Sequence, residues 1–147
     1  MANTEQLKTL RQGVDIWNQW RKENPKVVID LERADLGGAN LSGANLSNSN
    51  LQGAMLGATN LNDANLSNAN LKGAFLTEAD LTTAKGLTQR QINSARSVDY
   101  AKLPPNIKGR QRTSQDKARE LRDLLGGDVV ILGSDSTEKK WWQFWKK

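Results

Sequence analysis

The sequence predicts a coiled solenoid closed by helical caps, and three regularities within residues 29–87 predict it. Leucine recurs at positions 31, 36, 41, 46, 51, 56, 61, 66, 71, 76 and 81, in unbroken steps of five. A small residue stands two places before ten of these eleven leucines, as Ala34, Ala39, Ala44, Ser49, Ala54, Thr59, Ala64, Ala69, Ala74 and Ala79, with Ile29 the exception. Asn or Asp comes immediately before nine of them, the exceptions being Met55 and Phe75. A period of five matches neither the 3.6-residue helix nor the two-residue strand, so neither would bury these leucines on one face. The chain must therefore turn once per repeat. Asn and Asp tolerate left-handed backbone and hydrogen-bond locally, so one beside each leucine is expected to supply the corner. Leucines and small residues turned inward suit a narrow interior.

The run ADLGGANLSGANLSNSNLQGAMLGATNLNDANLSNANLKGAFLTEADL resembles the pentapeptide-repeat family, whose motif is A(D/N)LXX, and the resemblance covers residues 29 to about 86. It implies an all-β solenoid: a right-handed, quadrilateral β-helix with four pentapeptides per coil and coils stacked about 4.8 Å apart. The eleven leucine repeats would then make about three coils. Leu31, Leu51 and Leu71 form one column, Leu36, Leu56 and Leu76 a second, Leu41, Leu61 and Leu81 a third, and Leu46 and Leu66 a fourth. Met55 and Phe75 lie 20 residues apart and so share a face, in agreement with four repeats per coil. They are expected to form an apolar strip, either covered by the C-terminal segment folding back or offered to a partner.

An open coil exposes unpaired backbone and apolar leucines at each end, and both flanks read as covers. Over residues 4–22 one helical stripe carries Leu7, Leu10, Val14 and Trp17, with Lys8, Arg11 and Asp15 away from it, and Pro25 ends the helical region. The stretch GVDIWNQWRKENP, within the N-terminal cap of residues 1–28, resembles a cap recurring in short members of the family common in cyanobacteria. Trp17 and Trp20 are accordingly read as packing residues. After Gly86, Thr88 and Gln91 have capping-box spacing for a short helix over 89–95, and Leu103-Pro104-Pro105 stops regular structure. Residues 88–108, as GLTQRQINSA…LPPNI, resemble the family's C-terminal closure.

The remaining residues 109–147 form a basic, partly helical extension. Residues 115–125 predict a helix with Ser114 as N-cap and Gly126-Gly127 at its end, and Val129 to Leu132 a short strand or apolar staple. The chain then runs Lys139-Lys140-Trp141-Trp142-Gln143-Phe144-Trp145-Lys146-Lys147. At about 100° per residue the four aromatics occupy one arc and the four lysines with Gln143 the opposite one, whereas strand spacing mixes them. An aromatic face backed by lysines suits an anionic membrane surface, a protein partner's groove, or docking on the solenoid itself.

Composition narrows the chemistry. With 147 residues, the chain has no cysteine and no histidine, so disulfides, thiolate nucleophiles, imidazole bases and the Ser/His/Asp triad are excluded. Asp30, Glu32 and Asp35 are the carboxylates nearest to an acid–base set, and they read instead as a solvated face beside the N-terminal cap. No catalytic residue, cofactor or metal site is expected, and no nucleic acid or small-molecule substrate. Net charge is +5, but residues 29–87 hold three basic and six acidic side chains, and residues 88–147 thirteen basic and seven acidic. Some members of the family resemble duplex DNA and bind topoisomerases through a long, strongly acidic rod, which this short and mildly acidic coil does not match. Neither a secretory-signal pattern nor a membrane-spanning run is present, so a cytoplasmic protein, peripheral to a membrane at most, is expected. The expected role is that of a non-catalytic interaction module carrying a cationic, Trp-rich tail.

Overall fold

The structure is a computed structural model that describes residues 1–109, within the compact unit Met1–Gln111. The expected helix over 115–125, the apolar stretch 129–132 and the Trp/Lys tail lie outside the described residues. Two helices, α1 (Thr4–Arg11) and α2 (Val14–Glu23), precede the coil, and α3 (Gln89–Ser94) follows its regular part.

The coil shows its period directly. Parallel bridges join Asp30 to Asn50, Asp35 to Met55, Asn40 to Asn60 and Asn45 to Asn65, and the next coil repeats the pattern at Asn70, Phe75, Asp80 and Lys85. Each partner lies 20 residues on, so four pentapeptides complete a coil. Among the described residues the pairing consists of isolated bridges, not of a named sheet. The side between two turns is too short to hold a strand, so the expected β-helix is a stack of single pairs. All eleven leucines are at most 3% exposed, and the small residues between them are mostly buried as well. Where the small residue is polar, its hydroxyl bonds a backbone carbonyl: Ser49 to Leu46 and Thr59 to Leu36. Such pairing removes most of the cost of burying a hydroxyl.

The corner differs from the sequence expectation. Positive φ falls two residues after ten of the eleven leucines, at Arg33, Gly38, Gly43, Asn48, Gly53, Ala58, Asp63, Asn68, Gly73 and Glu78. The residue after it donates its N–H back to the leucine carbonyl, as Ala34 does to Leu31, which gives a type II turn. The Asn or Asp before the leucine therefore sits on the straight side, as the bridging residue. Its side chain still braces the turn: Asn50 Oδ1 accepts the Gln52 N–H and Asn70 Oδ1 the Lys72 N–H, and the same bond recurs at all nine such positions. Local hydrogen bonding by these residues is observed, while the left-handed conformation belongs to a different position.

The N-terminal stripe is two helices where one is expected. Gly13 sits at φ 134°, a conformation closed to L side chains, and breaks the helix between Arg11 and Val14. Both halves still face the coil: Leu10 and Trp17 are fully buried, with Leu7 and Val14 packed against the same core. At the other end α3 has the capping box expected of Thr88 and Gln91. Pairing then resumes, Ser97 with Phe75 and Lys102 with Asp80, at a spacing of 22 instead of 20. The helix replaces one side of this last turn and absorbs the two extra residues.

Candidate functional site

Nine of the eleven bridging positions in the repeats carry Asn or Asp, and the two that do not, Met55 and Phe75, pair directly with each other. Their side chains remain 46% and 39% exposed, so the expected apolar strip exists as one face of the coil. Met55 and Phe75 floor an open groove of about 430 Å³. Its wall is the neighbouring column of turns, where Gly53, Gly73 and Gln52 leave room and Arg33 and Lys72 project. A side chain at Gly53 would press on the Arg33 stem, since a Cβ there would lie 3.2 Å from Arg33 Cγ. Arg96 completes the lining from beyond α3, its guanidinium 5.5 Å from the centre of the Phe75 ring. That is cation–π distance, and it sets a charge beside the apolar floor.

The groove is lined by three cations and no carboxylate. Arg33 has a weak neighbour in Glu32 at 3.7 Å, whereas neither Lys72 nor Arg96 makes an ion pair among the described residues. The carboxylates considered from sequence serve the framework. Asp30 accepts the Glu32 N–H and an Asn50 amide, Asp35 accepts the Gly37 N–H, and Glu32 receives the N-terminal ammonium at 2.9 Å. Among the described residues no group of three or more acidic side chains is arranged to hold a metal ion. Asp80, on another side, has its carboxyl lowered to about 2, first by the Thr82 hydroxyl and then by the Thr82 N–H, with Asn62 and Lys102 adding to the effect.

Sequence reasoning named Met55 and Phe75 and missed Arg33, Lys72 and Arg96. A 20-residue register would have set Gln52 with Lys72 and Arg33 with Gly53 and Gly73 beside the apolar pair. Arg96 escapes such counting because α3 shifts the register by two. The tail residues Lys139, Lys140, Trp141, Trp142, Phe144, Trp145, Lys146 and Lys147 lie outside the described residues.

A pentapeptide coil capped at both ends, with one apolar and cationic face, defines a short solenoid of the pentapeptide-repeat class. A family profile described as pentapeptide repeats matches residues 29–63 and 59–85, with 8 copies, so this segment is a run of pentapeptide repeats. Among solved structures it is similar to the pentapeptide repeat protein Rfr23 from the cyanobacterium Cyanothece 51142, at 34% identity and a TM-score of 0.36 over 52% of each chain. It is also similar to HetL, a pentapeptide repeat protein involved in heterocyst differentiation regulation from Nostoc sp. strain PCC 7120, at 28% identity and a TM-score of 0.31. That match covers 54% of this chain and 46% of HetL, so the chain spans about half the length of either solved protein. No curated protein matches it.

Proposed function

We propose that the protein is a non-catalytic interaction module whose capped, rigid coil is tethered at an anionic membrane surface by its cationic, Trp-rich C-terminal tail. In this reading the coil is a right-handed, four-sided β-helix, supported by bridges 20 residues apart and a left-handed residue in ten of the eleven pentapeptides. The observation that carries the tether is the sorting of the last nine residues. On a helix Trp141, Trp142, Phe144 and Trp145 share one arc and Lys139, Lys140, Lys146 and Lys147 the other. Indole rings favour the headgroup region, and each lysine near an anionic surface adds about 1 kcal/mol. No helix among the described residues is long and apolar enough to cross a membrane.

Co-sedimentation with phosphatidylserine-containing vesicles tests this, comparing the intact chain with one ending after Thr137. The intact chain is expected to sediment and the shortened one to stay in solution. Absence of sedimentation, or sedimentation that survives truncation, overturns the tether. A second reading, a scaffold that docks protein partners, is favoured by the open groove at Met55 and Phe75.

A further inference from the structure

We propose that the groove over Met55 and Phe75 binds an acidic segment of a partner protein, one apolar side chain of which seats on the Phe75 ring. The inference rests on reading the coil as an interaction module and adds the chemistry of what it binds. Apolar and cationic departures from the repeat coincide at this face. Residues 29–87 contain three basic side chains, Arg33, Lys72 and Lys85. Lys85 lies 3.9 Å from Asp63, while Arg33 and Lys72 line the groove, where Arg96 joins them from the closing turn. A net-negative rod thus presents its positive charge beside its exposed apolar pair.

Charge chooses among the occupants. The tail of this same chain carries Lys139, Lys140, Lys146 and Lys147, so it would bring like charge onto Arg33, Lys72 and Arg96. Like charges brought together destabilise a contact, which disfavours the tail as the cover of Met55 and Phe75. A single-stranded nucleic acid would satisfy the three cations and stack on Phe75, but its backbone would run on past the groove. There it would meet a repeat segment of net charge −3. An acidic peptide needs complementary charge only locally. Carboxylates can pair with the Arg33 and Arg96 guanidinium forks and the Lys72 ammonium, and an aliphatic side chain between them reaches the Met55 and Phe75 floor. Glu32, 3.7 Å from Arg33, and Asp35, one coil above Met55, limit the positive end of the groove and set where an acidic segment stops.

The test is fluorescence anisotropy of the full chain, without lipid, against a fluorescein-labelled peptide Asp-Glu-Glu-Leu-Glu-Asp-Glu. Saturable binding that weakens with salt is expected. Replacing the central leucine by glycine, or the protein's Phe75→Asn, should weaken it about tenfold, and Lys72→Glu with Arg96→Glu at least as much. Phe75→Asn restores the residue type found at most bridging positions, and a thermal melt checks that each variant folds. Should Phe75→Asn fail to fold, the exposed Lys72→Glu alone carries the test. Absence of saturable binding, equal binding by the variants, or equal or tighter binding of a short oligothymidylate overturns the proposal. Because the groove variants keep the tail, vesicle sedimentation separates the outcomes. Lost peptide binding with retained sedimentation in the wild type removes the groove proposal alone, and the reverse removes the tether alone.

Discussion

At the N-terminal end of the coil, side chains from α1 and α2 reach the backbone of the first turn, whereas at the C-terminal end the backbone itself carries the pairing on. Gln6, 6% exposed, donates to the Val28 carbonyl at 2.9 Å and accepts the Asp30 N–H at 2.8 Å. Asn18 donates to the Gly43 carbonyl and accepts the Asn45 N–H, and the Trp17 indole N–H donates to the Asn45 carbonyl at 2.9 Å. Arg11 and Arg21 donate to the carbonyls of Asp35 and Ser47. The amide side chains thus stand in for the missing coil, each presenting both donor and acceptor as a peptide group does. Past residue 87, Ser97 and Lys102 continue the ladder, and the Gln91 side chain reaches the coil's backbone, at the carbonyls of Leu66 and Ala69. The difference teaches that an end begun by helices must be closed by side chains, while an end reached by the coil can be closed by continuing it past one inserted short helix.

Four substitutions break or sharpen this contrast. The largest effect is expected for Trp17→Ala, which empties a fully buried site and leaves the Asn45 carbonyl unpaired. A loss of about 3–5 kcal/mol in chemical denaturation is expected. Gly86→Ala tests the C-terminal exit, because Gly86 has φ 67° and a Cβ there would come within 2.8 Å of the Ser67 backbone. Strain and clash together should cost about 2–3 kcal/mol. The two glutamines give the direct comparison. Gln6→Ala removes a buried side chain that pairs with both the Val28 carbonyl and the Asp30 N–H and should cost about 2 kcal/mol, while Gln91→Ala, at a more open site, should cost about 1 kcal/mol. Equal losses would mean that the two ends do not differ in how they are closed.

The smallest effect concerns the resumed ladder. The Asp80 carboxyl is held near 2, against 3.8 in its ordinary state, chiefly by the Thr82 hydroxyl, with Lys102 of the last turn 3.5 Å away. A carboxyl lowered on folding contributes stability that is present above its unfolded value and lost as pH falls through its folded value. Melts between about pH 5 and pH 2 should therefore lose less stability in Asp80→Asn than in the wild type. The asparagine keeps the turn bond to the Thr82 N–H that Asn40 and Asn60 make to their own turns.

The leucine columns were legible because a strict period of five admits only a turning chain, and the 20-residue bridges bear out four repeats per coil. The left-handed corner was misplaced for a local reason: Asn and Asp favour both a side-chain-braced turn and left-handed backbone, and sequence alone does not separate these uses. At this corner Gly53, Arg33 and Glu78 share one conformation, because stacking on the next coil fixes the turn whatever residue fills it. The site was half legible. Met55 and Phe75 stood out as departures from a repeat, but Arg96 came to Phe75 only through the two residues that α3 inserts.

The sequence by itself determined the repeat, its inward leucines, the two capped ends and the face on which Met55 and Phe75 lie, because periodicity is a property of spacing. Only the tertiary structure decided which side chains close the first coil, where the chain breaks at Gly13, and which cations gather beside Phe75. Those contacts join residues whose separations follow no period, such as Trp17 with Asn45 across 28 positions, and their partners are fixed by the packing of one end against the other element that meets it.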